Sequence, residues 1–451
     1  MGNNSMVRSR SFLGIFLGIF FIFFYSATSW AFVDFVRRSS FDASTAARGG
    51  TCIAIGDDPT SMEVNPALIS ETKSNALESD LLLIFPNLDY KYTGTGNQIY
   101  KSTDKDKLLL APGLSFAHKV KDSPFSWGIS LAAVDAVATD YTIQSKFYGP
   151  VNANSNLAHL RFGPAAAYQI TPKISIGTRL DIDYAIFDVK MPLGPAYLDD
   201  GRVDGFGVSG SVGLFYKPMK NLSFGIYYET PTMMNDLETD SSDGYLKMMT
   251  PGGEVDFSQL DVKTKDFDFP QNYGVGVAYS PIPSLRLSAD LKYINWDKDW
   301  DKLTLKFKGP GAKKMKNAGV PTTLEIPFSI HNELALSVGA EYFFKKIYTA
   351  SVGYHYHDDA MRRNYLLPYS PAEMTHTLTC GFSVKPAKNV KIALAYMYSY
   401  ADDSKANAIH GYDAALEPQL GLPAGALQSE LSGAKTNYQF QNLELSVTLY
   451  W

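Results

Sequence analysis

Cysteine is nearly missing from this sequence: 451 residues hold two, Cys52 and Cys380. Thiols so far apart supply neither a disulfide framework nor a zinc-type ligand set. Basic clusters are absent and the formal charge is −5, which excludes the electrostatic footprint of a nucleic-acid binder. Charged residues reach only 19%, below the roughly 25% of an ordinary soluble chain. Long apolar runs are scarce too, for the one run, Leu13 to Tyr25, is shorter than the ~18 to 20 residues a helical span needs. No glycine-rich phosphate loop occurs, and the seven histidines come with no serine or aspartate constellation of a hydrolase, so no catalytic residue and no cofactor are assigned. If this chain occupies a membrane, it crosses with strands.

What is present points that way. Aromatics make up 13%, with 28 Tyr and 27 Phe, beside 35 Gly, a composition suited to surfaces apolar on one side and wet on the other. Arg8 and Arg10, the apolar run, and small residues at Ser29 and Ala31 read as a secretory signal cut after Ala31. Its loss takes the charge to −7, because those two arginines are its only charged residues.

From about Asp80 the sequence alternates with period 2. Ile174, Ile176, Leu180, Ile182 and Tyr184 share one face, and Ser175, Arg179, Asp181 and Asp183 the other. Leu285, Leu287, Ala289, Leu291 and Tyr293 likewise oppose Arg286, Ser288, Asp290 and Lys292. Strands are expected near 80 to 90, 108 to 119, 125 to 136, 157 to 170, 173 to 187, 205 to 217, 221 to 230, 271 to 280, 284 to 296, 331 to 344, 347 to 357, 374 to 385, 389 to 400 and 439 to 451. Tight turns at Thr171-Pro172, Pro218 to Lys220, Pro281 to Pro283, Lys345-Lys346 and Pro386 to Lys388 alternate with long polar connections. That is the asymmetry of an outer-membrane barrel, short turns on one rim and long loops on the other. The final strand places Leu443, Leu445, Val447, Leu449 and Trp451 on one face and would close the sheet against the first strand. The expected fold is an all-β antiparallel transmembrane barrel of about fourteen strands.

Between signal and strands lies Arg48 to Leu68, RGGTCIAIGDDPTSMEVNPAL. Gly49, Gly50 and Gly56 allow φ > 0, and Asp58 and Asn65, each before a proline, are held extended. Cys52 reads as a small buried residue. Together, Arg48-Gly49-Gly50, Asp57-Asp58-Pro59 and Asn65-Pro66-Ala67 resemble the plug of the FadL family of outer-membrane transporters. The resemblance extends to Phe269-Pro270, Gly274 to Tyr279, Asp290 to Trp296, Gly339 to Tyr342 and Val352 to Tyr356, and so to essentially the mature chain. It implies residues 1–31 as signal peptide, 32–79 as plug (hatch) and 80–451 as barrel.

The resemblance also implies passive uptake of a long-chain fatty acid or a monoaromatic hydrocarbon such as toluene. The route would be an outer-loop groove, a lumenal pocket, plug movement and lateral exit. Asn65, Pro66 and Ala67 would shape the plug and contact a kinked strand. Phe32, Phe35 and Phe41 would stand near the pocket, or equally anchor the plug. Met233, Met234, Met248 and Met249 suit an adaptable groove, or equally pack their own loop. Arg179, Arg286 and Lys292 could meet a substrate carboxylate, or pair with lumenal acids such as Asp181, Asp183 and Asp290. His355 and His357 share a strand face without the further ligands a metal needs, so no metal is assigned. Expected surroundings are outer-membrane lipid, lipopolysaccharide and the barrel-assembly machinery, with the protein a monomer that binds no nucleic acid. The alternatives are a structural or adhesive barrel, favoured by a dry, salt-bridged lumen, and an outer-membrane lipase-type enzyme.

Overall fold

The structure, a computed structural model, describes residues 36–72, 74–93, 98–105, 108–239, 242–327, 330–361, 367–368, 370, 374–401, 413–422 and 432–451. The expected signal peptide, Phe32 and Phe35 lie outside these. The wall strands are β1 (Ala76–Thr93), β2 (Leu109–Lys119), β3 (Phe125–Ser145), β4 (Gly149–Thr171), β5 (Ile174–Leu193), β6 (Val203–Met219) and β7 (Leu222–Glu229), then β8 (Asn272–Ile282), β9 (Leu285–Ile294), β10 (Glu333–Phe344), β11 (Tyr348–His357), β12 (His376–Ala387), β13 (Val390–Tyr400) and β14 (Ser432–Tyr450). Each pairs antiparallel with the next, and β14 returns to β1 from Ala76↔Tyr450 to Thr93↔Ser432. The chain is an all-β closed antiparallel barrel, and among the described residues the ring β1–β14 closes on itself. The closure is completed outside the ladder, where Asn75 and Trp451 exchange backbone hydrogen bonds of 3.1 and 3.2 Å.

Burial is inverted relative to a soluble protein. On β5, Leu180 is 69% and Ile182 57% exposed, whereas Arg179 is 1% and Asp183 0% exposed. The period-2 alternation is therefore apolar outward to lipid and charged inward, the arrangement of a membrane barrel. A sandwich would have the opposite order. Outward aromatics gather at the rim of short turns, where Phe116 lies 5.4 Å from Trp127 and 6.0 Å from Trp451 between ring centroids, as amphipathic rings do at a membrane interface.

The opposite end is more ordered than the polar connections suggest. β3 and β4 run 21 and 23 residues, so the expected connection between 136 and 157 is a strand hairpin standing above the rim. Its polar composition hides an alternation in which Val137, Thr139, Tyr141 and Ile143 are all buried. Short strands extend the sheet to 22 strands among the described residues. They include Ala196–Asp199, the hairpin Gly244–Thr250 with Gly253–Lys265, and Lys302–Lys308 with Thr323–Pro327. Helix α1 is Ala43–Ala47 in the N-terminal segment, and α2, Gly309–Asn317, packs Ala312 and Met315 into this cap beside Leu260 and Phe307.

Residues 36–72 thread the inside of the ring. Their turns follow from local chemistry: Asp42 caps α1 by accepting from the Thr45 amide at 2.9 Å. Asp58 and Asn65, both extended, each precede a proline that opens a 3₁₀ turn, where the missing N–H costs nothing. Gly49 and Gly50 take φ of 74° and 84° as expected. Gly56 does not adopt positive φ among the described residues. It is needed instead for close approach, since a Cβ there would lie 2.6 Å from the Leu68 carbonyl.

Candidate functional site

The N-terminal segment is held to the wall by charge and by backbone proximity. Arg38 Nη2 donates to Asp80 Oδ2 at 2.6 Å and Glu444 Oε1 at 2.5 Å, all three buried. Burial works against that guanidinium charge, but Glu444 and Asp80 outweigh it and its pKa is raised. Arg37 pairs with Glu229, Arg179 with Glu63, and Arg286 with Asp57. Lys391 reaches Asp58 at 2.5 Å. The sequence-predicted cations Arg179 and Arg286 thus hold carboxylates of the protein itself, with Asp181 (2.6 Å) and Glu341 (2.5 Å) as their partners on the wall. Lys292 donates to the Ser39 carbonyl at 3.4 Å.

Asn65 accepts from the Ala67 amide at 3.2 Å and donates to the carbonyls of Ile53 at 2.9 Å and of Leu214, on β6, at 3.2 Å. Its approach requires a wall residue without a side chain. A Cβ on Gly213 would sit 1.9 Å from Asn65 Oδ1, and one on Gly225 would sit 1.8 Å from the Ile53 carbonyl oxygen. Asn65-Pro66-Ala67 therefore seats against β5 and β6, where a Cβ on Gly177 would meet Pro66 and Ala67 at 2.4 Å.

Strand β3 is irregular where it faces the N-terminal segment. Ala133 pairs with Leu160 and Asp135 with His159, which leaves Val134 as an extra, unpaired residue, a β-bulge. Here β3 leaves its other neighbour as well. The β2–β3 ladder ends at Gly113↔Ala132, although β2 continues against β1 to Ile84↔Leu109 and β3 continues against β4 to Ser145↔Gly149. Residues 132–139 are buried on both faces, so the in-and-out alternation stops where the strand bends off the wall. The released backbone is taken up from inside: the Arg38 amide donates to the Val134 carbonyl at 2.9 Å, and the Ala136 amide to the Val36 carbonyl at 2.7 Å. Higher up, the Lys105 amide donates to the Asp140 carbonyl at 3.0 Å and closes the gap. The result is a bounded interruption between β2 and β3, filled by Val36 and small residues such as Ala111, Ala133 and Ala136.

Next to it, beneath the cap, lies an apolar pocket of about 40 Å³ whose lining includes Val137, Leu157, Phe187, Phe267, Trp300 and Ile326. Phe267 contacts Phe269 edge-on at 5.9 Å, and Phe269 stacks on His159 at 4.0 Å. His159 bridges Asp135 (2.6 Å) and Asp183 (2.8 Å). Pocket, ring stack and bulge are thus one continuous set of contacts.

The four methionines singled out from the sequence lie elsewhere. Met248 is buried in the cap, Met249 is half-buried, Met233 is exposed and Met234 packs at the cap's margin. The pocket takes Met191 and Met361 instead. Phe41 is buried against Cys52, Ile53, Val134 and Tyr227, the anchoring position of its two expected roles. His355 meets Ser337 at 2.8 Å, and His357 the Met374 carbonyl at 2.6 Å, each engaged within the protein. Burial pushes the Cys52 thiol up to about 12.

A closed ring with an apolar outside, a charged inside and a chain segment threaded through it is an outer-membrane barrel. This chain belongs to the outer membrane protein transport protein family (OMPP1/FadL/TodX), whose model matches residues 26–440. It is an outer-membrane transport protein of a family that handles hydrophobic molecules. Solved structures agree in fold. The Pseudomonas putida toluene transporter TodX superimposes with a TM-score of 0.72 at 18% identity, covering 92% of this chain and 99% of its own. The Ralstonia pickettii toluene transporter TbuX gives 0.67 at 18% identity over 92% and 99%. A Pseudomonas aeruginosa FadL homologue gives 0.71 at 14% over the same shares. Among curated protein sequences, none matches significantly.

Proposed function

We propose that this protein takes up small neutral hydrophobic molecules, monoaromatic hydrocarbons such as toluene foremost. They enter the apolar pocket beneath the cap and leave sideways between β2 and β3, while residues 36–72 act as a plug in a wall of fourteen strands, β1–β14. The interruption at Val134 carries this reading. A closed ladder would cost several hydrogen bonds to part, whereas here the wall is already open and only side chains and two backbone contacts from Val36 and Arg38 fill the gap. The exit stands beside the pocket, so a greasy substrate need not cross the charged lumen.

The substrate class rests on the pocket. Its described lining is apolar apart from Ser155 and Ser370 and carries no cation, so a carboxylate head would find no charged partner among these residues. Two of the compared barrels, TodX and TbuX, are toluene transporters. At about 40 Å³ the pocket is smaller than the ~150 Å³ cavity that accepts benzene elsewhere, so a ligand must displace lining side chains. Met191 and Met361 are the pliable ones. Long-chain fatty acids are the second substrate reading. The ion-paired lumen is the observation that favours a merely structural barrel.

Uptake of labelled toluene and labelled oleate by cells with and without the protein separates these readings. Deletion of Val134 tests the exit, because it restores an unbroken register between β3 and β4. We expect protein-dependent toluene uptake that falls at least about tenfold in the deletion variant, with the barrel still folded at the surface. Undiminished uptake would refute the lateral route, uptake of oleate alone would select the fatty acid, and uptake of neither would leave the structural barrel standing.

A further inference from the structure

At the outer end of β5, three carboxylates converge: Asp188, Asp199 and Asp200 each bring an oxygen within 4.8 Å of the others. Asp200 is fully buried. One of its oxygens, Oδ1, accepts from the Val189 and Arg202 amides at 2.9 and 3.4 Å, while Oδ2 meets no donor, and neither does Oδ1 of Asp188. Asp199 accepts from the Gly201 amide at 3.0 Å and from Lys190 Nζ at 2.8 Å. Among the described residues, Lys190 is the one cation in ion-pair range of the three. Like charges this close repel, and a buried carboxylate oxygen without a donor is costly.

We propose that Asp188, Asp199 and Asp200 form a binding site for a hard divalent cation, calcium by preference. The donors are all oxygen, with no imidazole or thiolate, which selects against transition metals. The flexible spacing of three carboxylates on a strand end and a turn suits calcium, with its 6–8 oxygen ligands at roughly 2.3–2.6 Å, better than the stricter octahedron of magnesium. The position gives such an ion a purpose. Phe187, Val189 and Met191 line the apolar pocket, and Asp188 alternates with them on the other face of the same strand. Ala196–Asp199 pairs with β5 through Lys190↔Asp199 and with the cap hairpin through Tyr245↔Asp199. A cation here clamps one wall of the pocket to the cap.

The test is terbium luminescence on the purified full-length barrel in detergent after chelator treatment. Tyr197 and Tyr245, with ring centroids 6.0 Å apart beside the cluster, would sensitise a bound lanthanide, and calcium chloride would then displace it. We expect saturable emission displaced by calcium at about 1 mM or below, as for extracellular sites. Asp188→Asn and Asp200→Asn should each weaken binding at least about tenfold by removing a charged ligand. Asp256→Asn, an exposed acid of the cap hairpin, should bind as the wild type does. Emission that calcium does not displace, or Asp188→Asn and Asp200→Asn variants that bind like wild type, would overturn the site. Heat-dependent gel migration reports whether each variant is folded, and the wild-type titration decides the question even if one variant is not. Cation binding is read directly, so the outcome is independent of the transport reading.

Discussion

Replacing Gly225 by alanine tests whether the N-terminal segment is held by backbone proximity. The added methyl would lie 1.8 Å from the Ile53 carbonyl oxygen and 2.6 Å from its carbon, and real Cβ atoms stay beyond 3.0 Å. Something must therefore move by about 1.2 Å. The wall is locked, since Gly225 pairs with Phe215 on one side and Gly276 on the other, so the segment yields. Its amide would draw away from Asp290 (2.9 Å) and its carbonyl from Asn65 (2.9 Å). A hydrogen bond to a charged group contributes roughly 1.5–3 kcal/mol, a neutral one roughly 0.5–1.5, and overpacking costs about 1–3. Taking about 3 kcal/mol for the whole, the docked state should lose about two powers of ten in population relative to undocked. Cys52 is the reporter, one residue from the clash and buried. Its thiol is pushed up to about 12 by burial and, once released, returns toward the ordinary ~8.5. In a Cys380→Ser background, alkylation should be negligible in the parent and faster by about a hundredfold in Gly225→Ala. Gly252→Ala, where the nearest atom is 3.7 Å away, should change nothing. A folded Gly225→Ala barrel whose Cys52 stays as protected as the parent's would refute the reasoning.

Arg38→Met should destabilise the barrel by about 3–5 kcal/mol in thermal unfolding, because Asp80 and Glu444 are left facing each other without their cation. Adding Glu444→Gln should recover part of the loss, and an unchanged melting temperature for Arg38→Met would contradict the pairing. For Asp42, burial alone would raise the pKa, but Arg48, Lys391 and the Thr45 hydrogen bonds outweigh it and lower it. A folded value below the unfolded one contributes stability that is complete above about pH 4 and lost as pH falls through the lower folded value. The melting gap between wild type and Asp42→Asn should hold from neutral pH to about 4 and narrow below; narrowing already between pH 7 and 5 would count against it.

The sequence made the wall legible because lipid enforces a strict period of two. Leu180 and Ile182 outward with Arg179 and Asp183 inward could be read directly, and Asn65 before Pro66 announced its turn. Less could be read where a residue's role depends on the far side of the lumen. Arg179 meets Asp181, one of several lumenal acids the sequence offered, yet its second partner, Glu63, stands 116 positions away in sequence. Arg286 found Asp57 for the same reason. The bulge at Val134 lies in Ala132-Ala133-Val134-Asp135-Ala136, where nothing but a run of small residues sets it apart. The methionine-rich connection drew attention by composition, whereas the pocket is built from ordinary Val, Leu and Phe on β3 to β5 and in the cap.

Those same long-range pairs limit how the segment can move. Withdrawing residues 36–72 as a body would separate Arg38 from two carboxylates, Glu63 from Arg179, Asp57 from Arg286 and Asp58 from Lys391. Asp57 is half-exposed, but the other three pairings are buried; at about 3–5 kcal/mol for each buried pair broken, those three together rival the roughly 5–15 kcal/mol that hold a whole domain folded. On the proposed route such a step would be too costly to repeat with each molecule. The two backbone hydrogen bonds at Val134 and Ala136 cost about 1 kcal/mol apiece, and the Arg37 and Arg38 side chains can keep their partners while the backbone at 36–38 shifts. On the proposed lateral route, what would yield to a passing substrate is then the few residues that fill the gap between β2 and β3. On that route the remainder of the segment, from Phe41 through the 3₁₀ turn at Pro66–Glu71, would serve as the fixed post against which they move.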